Sequence, residues 1–525
     1  MQTFLISLIP FFLYWLTYNK KALHMLQQNW YNDGNRYLNW ISNNSKKIFI
    51  NWNYLYLFIF IIGLFININM SIVYGIFYFI LFLHLRISLK KEQLKKPLAI
   101  TSRIKRLTLT TFIIYLIPLV LCCIYYNGYD NYYYFIMGTY VYFNFFIVYF
   151  ANIINKPIEK LVYIYYKTKA LNKLKSMNNM EVVGITGSYG KTSTKNIVND
   201  ILNEKYISFM TPKNFNTNYG LIRTINEYID KYNNYFIAEL GAFRKGDIKQ
   251  RASIVKPKYG ILTKIGTAHL ETFGSQENVT SGKFELIESL PKDGIAILNK
   301  DDENQVNYKI KNTCKVLWYA IDNKDADVYA DNIKYDESGM TFDVYINNNK
   351  HNLKTRLLGR ANIYNLLAGI TLANELGLTI EEIKRGVSKV KTVEHRLELK
   401  SYGSINYIDD AYNSNPVGSK MALDVLKLMP GKKIVITPGM IELGDKQYEY
   451  NYNFGKYIAD SVDLAILVGK EQTKPIQKGI LDSNFDKEKL IVVNDVKEAI
   501  NIAKNYYQEK VYILLENDLP DVFNE

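Results

Sequence analysis

Cysteine is scarce: three residues in 525, two of them adjacent (Cys122, Cys123). No disulfide framework can be built from them, which excludes a secreted, stapled scaffold. Internal repeats and low-complexity tracts are also missing. Acidic residues are nearly absent from the first third: residues 1–155 hold three (Asp33, Glu92, Asp130) against thirteen Lys and Arg, so ten of the chain's fourteen net positive charges sit there. The remaining 370 residues carry only four, and nucleic-acid binding is not indicated for them. What is plentiful is apolar: 48% hydrophobic and 14% aromatic residues, 44 of them Tyr, a composition that excludes disorder as the main state. At ~100–200 residues per domain, the length leaves room for three or four domains.

Five stretches contain no Lys, Arg, Asp or Glu: 3–18, 48–66, 71–85, 107–126 and 132–152. A spanning helix needs ~20 apolar residues, so the last two fit and the first and third are short. Trp15, Tyr18, Trp52, Tyr54, Tyr125, Tyr126, Tyr132 and Tyr133 cluster toward the ends of the runs, as an aromatic belt does. Charge gives the topology. The 19–47 loop holds five basic residues and the 86–106 loop eight, whereas 67–70 and 127–131 hold none. The positive-inside rule then puts both basic loops and everything after 153 in the cytoplasm, with the N-terminus outside. The first run lacks the basic flank and small-residue cleavage site of a signal peptide. Residues 157–180 read as an amphipathic linker helix beginning at Pro157, whose lysines (160, 167, 169, 173, 175) either face anionic headgroups or are simply solvated.

Beyond 180 the pattern changes to short apolar strands alternating with helical stretches. Residues 181–186 are a strand, and Gly187-Ser188-Tyr189-Gly190-Lys191-Thr192-Ser193 leads into a helix. Strand, glycine-rich turn and helix are the context a phosphate loop requires. Gly187 and Gly190 let backbone N–H groups approach phosphate oxygens, Lys191 reaches the β- and γ-phosphates, and the Thr192 hydroxyl suits Mg²⁺. The strict GxxxxGK[ST] pattern wants Gly where Ile185 stands.

Thr186-Gly187-Ser-Tyr-Gly190-Lys191-Thr192 resembles the TGxxGKT loop of the Mur ligases. So do Asn214-Phe-Asn216-Thr217-Asn218, Ala238-Glu239-Leu-Gly241, Ala268-His269-Leu270-Glu271, Gly282-Lys283-Phe-Glu285, Asn299-Lys-Asp301-Asp302 and Gly359-Arg360-Ala-Asn362-Ile-Tyr-Asn365. After Arg396, Asp409-Asp410-Ala-Tyr412-Asn413-Ser-Asn415-Pro416 resembles the D-D-x-Y-N-x-N-P signature of the branch that adds a dipeptide, and Gly439-Met-Ile-Glu442 agrees with it. The resemblance runs from about 181 to the end of the chain. It implies ATP and two Mg²⁺ ions, with Thr192, Glu239, His269 and a carbamylated Lys283 as metal ligands. It implies catalytic roles for Lys191, His269 and Lys283, and nucleotide contacts from Gly187, Ser188, Gly190, Lys191, Thr192, Ser193, Asn299, Asn362, Asn365, Arg396 and Asp410. Asn216, Thr217, Asn413 and Asn415 are the implied substrate contacts. Ala361 stands where the family often has His. Several of these residues also suit caps and turns.

The expected fold class is α/β. An N-terminal transmembrane helical bundle (1–156) and a linker (157–180) precede a Mur ligase central P-loop α/β domain (181–395) and a C-terminal doubly wound, Rossmann-like α/β domain (396–525). The apolar runs and loop charges predict a multi-pass cell-membrane protein with cytoplasmic ligase domains, and the resemblance implies that these join an amino acid or dipeptide such as D-Ala-D-Ala to a small-molecule or lipid-linked muramoyl-peptide precursor through an acyl phosphate. The membrane segment stands where soluble relatives carry a UDP-binding domain. That leaves two alternatives: a ligase on another membrane-linked or polymeric acceptor, of the poly-γ-glutamate synthetase type, and a non-catalytic nucleotide-binding scaffold. No acidic or basic residue lies inside the five runs, so no transport pathway is marked.

Overall fold

The computed structural model describes the whole chain except residues 1, 67–68, 92–96, 125–129, 178, 267–269, 337–338, 393–394, 412–414, 442, 508 and 518–525. It divides into two units, residues 1–165 and 166–525.

The first unit is helical. Two of its helices, Met70–Lys90 and Ser102–Leu121, are long and apolar enough to cross a membrane, and a third span results if the bent pair Asp130–Tyr142 and Asn144–Lys175, at 69°, counts as one. The five expected runs therefore give two or three candidate spans among the described residues. The differences have local causes. The run 3–18 is short and continues, past Pro10, into the polar end of a single helix, Gln2–Gln28, that carries Lys20 and Lys21. The run 48–66 is broken where the Asn51 side chain accepts the backbone N–H of Asn53 at 2.8 Å, which leaves only the short helix Tyr56–Ile62. Pro157 does not start a helix but lies inside Asn144–Lys175. The unit's interior is aromatic and hydrogen-bonded: Tyr115 donates to the Tyr140 carbonyl (2.8 Å) and to Asn144 (3.0 Å), and Tyr74 donates to Asn131 (3.1 Å). Its exterior is apolar, with Phe65, Ile76, Ile117 and Phe150 each more than half exposed.

The second unit holds two sheets. The first has nine strands: β1 (Glu181–Thr186), β2 (Ser208–Met210), β3 (Tyr235–Glu239), β4 (Tyr259–Leu262), β5 (Ile295–Asn299), β6 (Lys315–Ala320), β7 (Val328–Asp336), β8 (Gly339–Ile346) and β9 (Asn349–Thr355). Their spatial order is β2-β3-β1-β4-β5-β6-β7-β8-β9, parallel through β7 and antiparallel beyond. β1 and β3–β5 are almost wholly buried, as strands covered on both faces must be. Strand order reverses at β1, which has β3 on one side and β4 on the other, so a crevice opens at its carboxyl end. The second sheet contains β10 (Glu398–Tyr402), β11 (Ile405–Asp410), β12 (Lys432–Thr437), β13 (Leu464–Val468), β14 (Leu490–Val493) and β15 (Val511–Glu516), in the order β10-β11-β15-β12-β13-β14. All but the antiparallel edge strand β10 are parallel. Five of these six strands follow the apolar runs in the sequence. β10 reads Glu-Leu-Lys-Ser-Tyr and carries too little apolar signal.

Asp301 pins the carboxyl ends of β5 and β6 together. Its carboxylate accepts the backbone N–H groups of Ile321 (2.6 Å), Asp322 (2.9 Å) and Asn323 (2.9 Å), and the Tyr364 hydroxyl (3.0 Å). Burial alone raises its pKa, but these hydrogen bonds outweigh burial and hold it below the usual carboxylate value. Its stabilising contribution is therefore present above the ordinary carboxylate pKa and is lost as pH falls through the lowered one. Asp301→Ala should cost about 2–4 kcal/mol at pH 7, since several donors lose a charged acceptor. Denaturant unfolding at pH 7 and pH 3 should show that gap narrowing in acid.

Candidate active site

The crevice at β1 is filled by the glycine-rich turn. Gly190 has φ +83°, a left-handed conformation that ends the turn and opens the helix Lys191–Leu202. Gly187 has no room for a side chain: a Cβ there would lie 1.9 Å from the Thr263 hydroxyl oxygen. The turn is clamped to the segment following β4. Thr263 Oγ1 donates to the Tyr189 carbonyl (2.6 Å), Ser188 Oγ to the Gly266 carbonyl (3.0 Å), and the Ser188 N–H to the Lys264 carbonyl (2.9 Å). Lys191 folds back over its own turn, its Nζ donating to the Gly187 (2.8 Å) and Ser188 (3.0 Å) carbonyls. Burial lowers the Lys191 pKa. The Glu239 carboxylate opposes that shift, and the charge of Arg396 adds to it. Ser193, half-buried, follows in the first turn of the helix.

Glu239 ends β3 beside this turn and is 1% exposed. Thr192 Oγ1 donates to its Oε2 at 3.1 Å, Asn216 Nδ2 to its Oε1 at 3.0 Å, and the Lys195 ammonium lies 3.1 Å from Oε2. Thr192, Glu239 and Asn216, named from the sequence as metal and substrate residues, are thus brought into one cluster. Lys195 was not named, because a lysine in a helix ordinarily marks a solvated face. Hydroxyl and carboxylate oxygens suit a hard dication, so the donors at Thr192 and Glu239 fit Mg²⁺. Among the described residues no three His, Cys, Asp or Glu side chains gather as a metal-binding group. His269 and Asn413 lie outside the described residues.

Lys283 is 1% exposed on the helix Gln276–Glu288. Burial first, then the positive charges of Lys191 and Arg251, bring its pKa down to about 7, against the opposing pull of Asp247 and Glu285. No hydrogen bond to its Nζ is found among the described residues, and the Phe273 ring centroid is 5.5 Å away. An amine that loses its proton this readily is the form that takes up CO₂, so the site suits a carbamate. Arg251, also missed in the sequence, is 6% exposed and pairs with Asp247 at 3.5 Å.

Asn365 reaches the loop from the helix Arg360–Glu375. Its Oδ1 accepts the Thr194 hydroxyl (3.1 Å), and its Nδ2 donates to Asn362 (3.2 Å). Asn299 turns to its own chain, accepting the Asp301 N–H at 2.9 Å. Arg396 is exposed, and its charge is felt at Lys191. Asp410 is 2% exposed, its Oδ1 accepting the Leu397 N–H at 3.1 Å, which fixes the backbone next to Arg396. Beside it, burial first and then the Asp410 charge hold the carboxyl of Glu516 well above its usual pKa. Thr217 and Asn415 cap the helices Asn218–Glu227 and Pro416–Lys427, accepting the N–H groups of Gly220 and Gly418.

Known proteins resemble this chain over the same two sheets. The Mur ligase middle domain matches residues 185–373, and the glutamate ligase domain of Mur ligases matches 395–516. UDP-N-acetylmuramoyl-tripeptide–D-alanyl-D-alanine ligase of Escherichia coli is 31% identical over 293 residues, 55% of this chain and 65% of that protein. The protein of that name from Buchnera aphidicola (strain Bp) is 33% identical over 60% of this chain and 70% of its own length. The chain thus spans just under two thirds of the first of these and slightly more of the second. Among solved structures, MurF ligase from Thermotoga maritima in complex with ADP superposes with a TM-score of 0.61 at 25% identity, covering 68% of this chain and 80% of that one.

Because the Lys283 pKa falls from 10.5 to about 7 on folding, the unfolded chain binds the extra proton. Burying this lysine costs most below pH 7, and the cost disappears as pH rises toward 10.5. In CO₂-free buffer, Lys283→Met should be stabilised relative to the parent chain at pH 7, and the advantage should shrink steadily toward pH 10. Thermal unfolding across that range gives the answer, and a constant difference contradicts the assignment.

Proposed function

The chain belongs to the Mur ligase family of ATP-dependent ligases, and on that premise we propose that it forms an amide bond between a cell-wall precursor carboxylate and an amine at the membrane surface. The favoured pair is a muramoyl-tripeptide and D-Ala-D-Ala, supported by the sequence from Asp409 to Pro416 and by the named relatives. The observation that carries the reading is the contact of Thr192, at the start of the phosphate-loop helix, with the buried Glu239 carboxylate at 3.1 Å.

The reaction runs in two displacements. The precursor carboxylate oxygen bonds to the γ-phosphorus of ATP and ADP leaves; the amine nitrogen then bonds to the acyl carbon, phosphate leaves, and the amine sheds a proton. Transfer of this kind depends on alignment and charge neutralisation more than on covalent chemistry by the protein. The N–H groups of the turn from Gly187 to Thr192 cradle the phosphates, and Lys191 leaves its loop carbonyls to meet the β- and γ-oxygens. Ser188 and Ser193 line the same turn. Arg396 brings a second positive charge from the C-terminal sheet, and Asp410 holds that segment in place. Asn299, Asn362 and Asn365 are the proposed contacts to the base and ribose. Two Mg²⁺ ions, held by Thr192 and Glu239 and by His269 and carbamylated Lys283, would supply further charge neutralisation. Asn216, Thr217, Asn413 and Asn415 border the substrate.

The proposed domains are a membrane segment to 156, a linker to 180, the central domain to 395 and the ligase domain beyond, with the catalytic part cytoplasmic; the helix Asn144–Lys175 runs through the first of these boundaries. One observation favours a second reading. The matched region begins at 185, and the chain aligns to only 65% of the first relative, so a different acceptor, membrane-linked or polymeric, accounts for the helical unit equally well.

Phosphate release by the detergent-purified chain separates the two. The candidate acceptors are UDP-linked tripeptide, lipid-linked tripeptide and glutamate, each with and without D-Ala-D-Ala. Release that needs UDP-tripeptide and dipeptide together supports the first reading; release with another pair supports the second; none with any pair contradicts both. Lys283→Ala should lose at least a hundredfold in rate and regain part of it with a short-chain carboxylate. Full activity in that variant ends the carbamate assignment.

A further inference from the structure

The Glu239 carboxylate already holds a cation. Lys195 lies one turn beyond Lys191 on the helix Lys191–Leu202, and its ammonium stands 3.1 Å from Glu239 Oε2, with both side chains 2% exposed. This is the oxygen that the Thr192 hydroxyl also reaches at 3.1 Å, so the ammonium occupies the face toward which a divalent cation would be drawn. Its other partner is the Lys213 carbonyl at 2.6 Å, and Asn216 takes the remaining oxygen, Oε1, at 3.0 Å. Every part of the carboxylate is engaged, and the ammonium is enclosed rather than free to swing into water.

We propose that Lys195 is a resident competitor of the divalent cation, which makes metal binding at Glu239 conditional on nucleotide. The inference rests on Glu239 being the metal carboxylate. The ammonium offsets the charge of Glu239 and keeps its carboxylate aimed. A dication approaching the same oxygen meets a buried positive charge only a few ångströms away, and repulsion at that range in a low-dielectric site is strong. The polyphosphate of ATP brings negative charge that offsets the repulsion, so metal and nucleotide enter together. Such coupling is reciprocal: each raises the affinity of the other by the same factor. Removing the ammonium leaves a buried carboxylate without a counter-ion, which a dication then compensates.

Mn²⁺ binding to the full chain in detergent, followed by electron paramagnetic resonance, tests this. The unaltered chain should bind Mn²⁺ weakly alone, with a dissociation constant near millimolar, and at least tenfold more tightly with a non-hydrolysable ATP analogue. Lys195→Met and Lys195→Gln, the second retaining a donor for the Lys213 carbonyl, should each bind Mn²⁺ alone at least tenfold more tightly than the parent and show correspondingly less coupling. Lys195→Arg, which keeps the charge, should stay weak. Micromolar Mn²⁺ binding by the nucleotide-free parent overturns the proposal even if neither neutral variant folds, and so does an unchanged affinity in a folded neutral variant. Glu239→Gln separates the two levels. If it leaves Mn²⁺ binding with nucleotide intact, the metal assignment itself fails. If it abolishes that binding while the neutral Lys195 variants match the parent, only the role of Lys195 fails.

Discussion

A single carboxylate, Glu239, sits sealed from water at the carboxyl end of a parallel strand, and the neighbouring elements are arranged around its charge. An ionised group at 1% exposure persists only if its oxygens are met by donors. Here the donors come from two separate stretches: Thr192 and Lys195 from the phosphate-loop helix, and Asn216 from the segment after β2. Meeting that one electrostatic demand fixes the loop, the strand and the 211–217 segment against each other.

The sheet makes the demand possible. With strand order reversing at β1, the turn after β1 and the end of β3 open into one crevice. The segment after β4 closes the back of the turn through Thr263 and Ser188, so the backbone N–H groups are held in position before any ligand arrives. Arg251, buried, adds positive charge beside the equally buried Lys283, with Asp247 as a close counter-ion. The positive charges of Lys191 and Arg251 beside it suit the region to polyphosphate and to an anionic modification of Lys283.

Much of this was legible in the sequence, and the gaps have physical reasons. The phosphate loop was readable because its chemistry depends on residues close together in the chain, and five strands of the second sheet were readable because buried parallel strands are continuous apolar runs. Glu239 and Asn216 were reached only through resemblance, since the fold rather than the spacing brings them to Thr192. Lys195 was missed because nothing local distinguishes a buried helical lysine from a solvated one. Glu516 was missed because its partner Asp410 is more than a hundred residues away and meets it only through the pairing of β11 with β15. Thr217 and Asn415 show the converse, since each acts as a helix cap, a role visible in the sequence beside the substrate role. The helical unit departed furthest from expectation. Counting uncharged runs overlooks the asparagines that interrupt one of them and the helix that carries another past its apolar stretch.

Isotope transfer tests the central claim, that the phosphate-loop crevice activates a carboxylate. With both oxygens of the acceptor's carboxylate labelled with ¹⁸O, the phosphorus-31 resonances of the released phosphate report which bond was broken. The account predicts one labelled oxygen in each phosphate formed with product; product accompanied by unlabelled phosphate contradicts it.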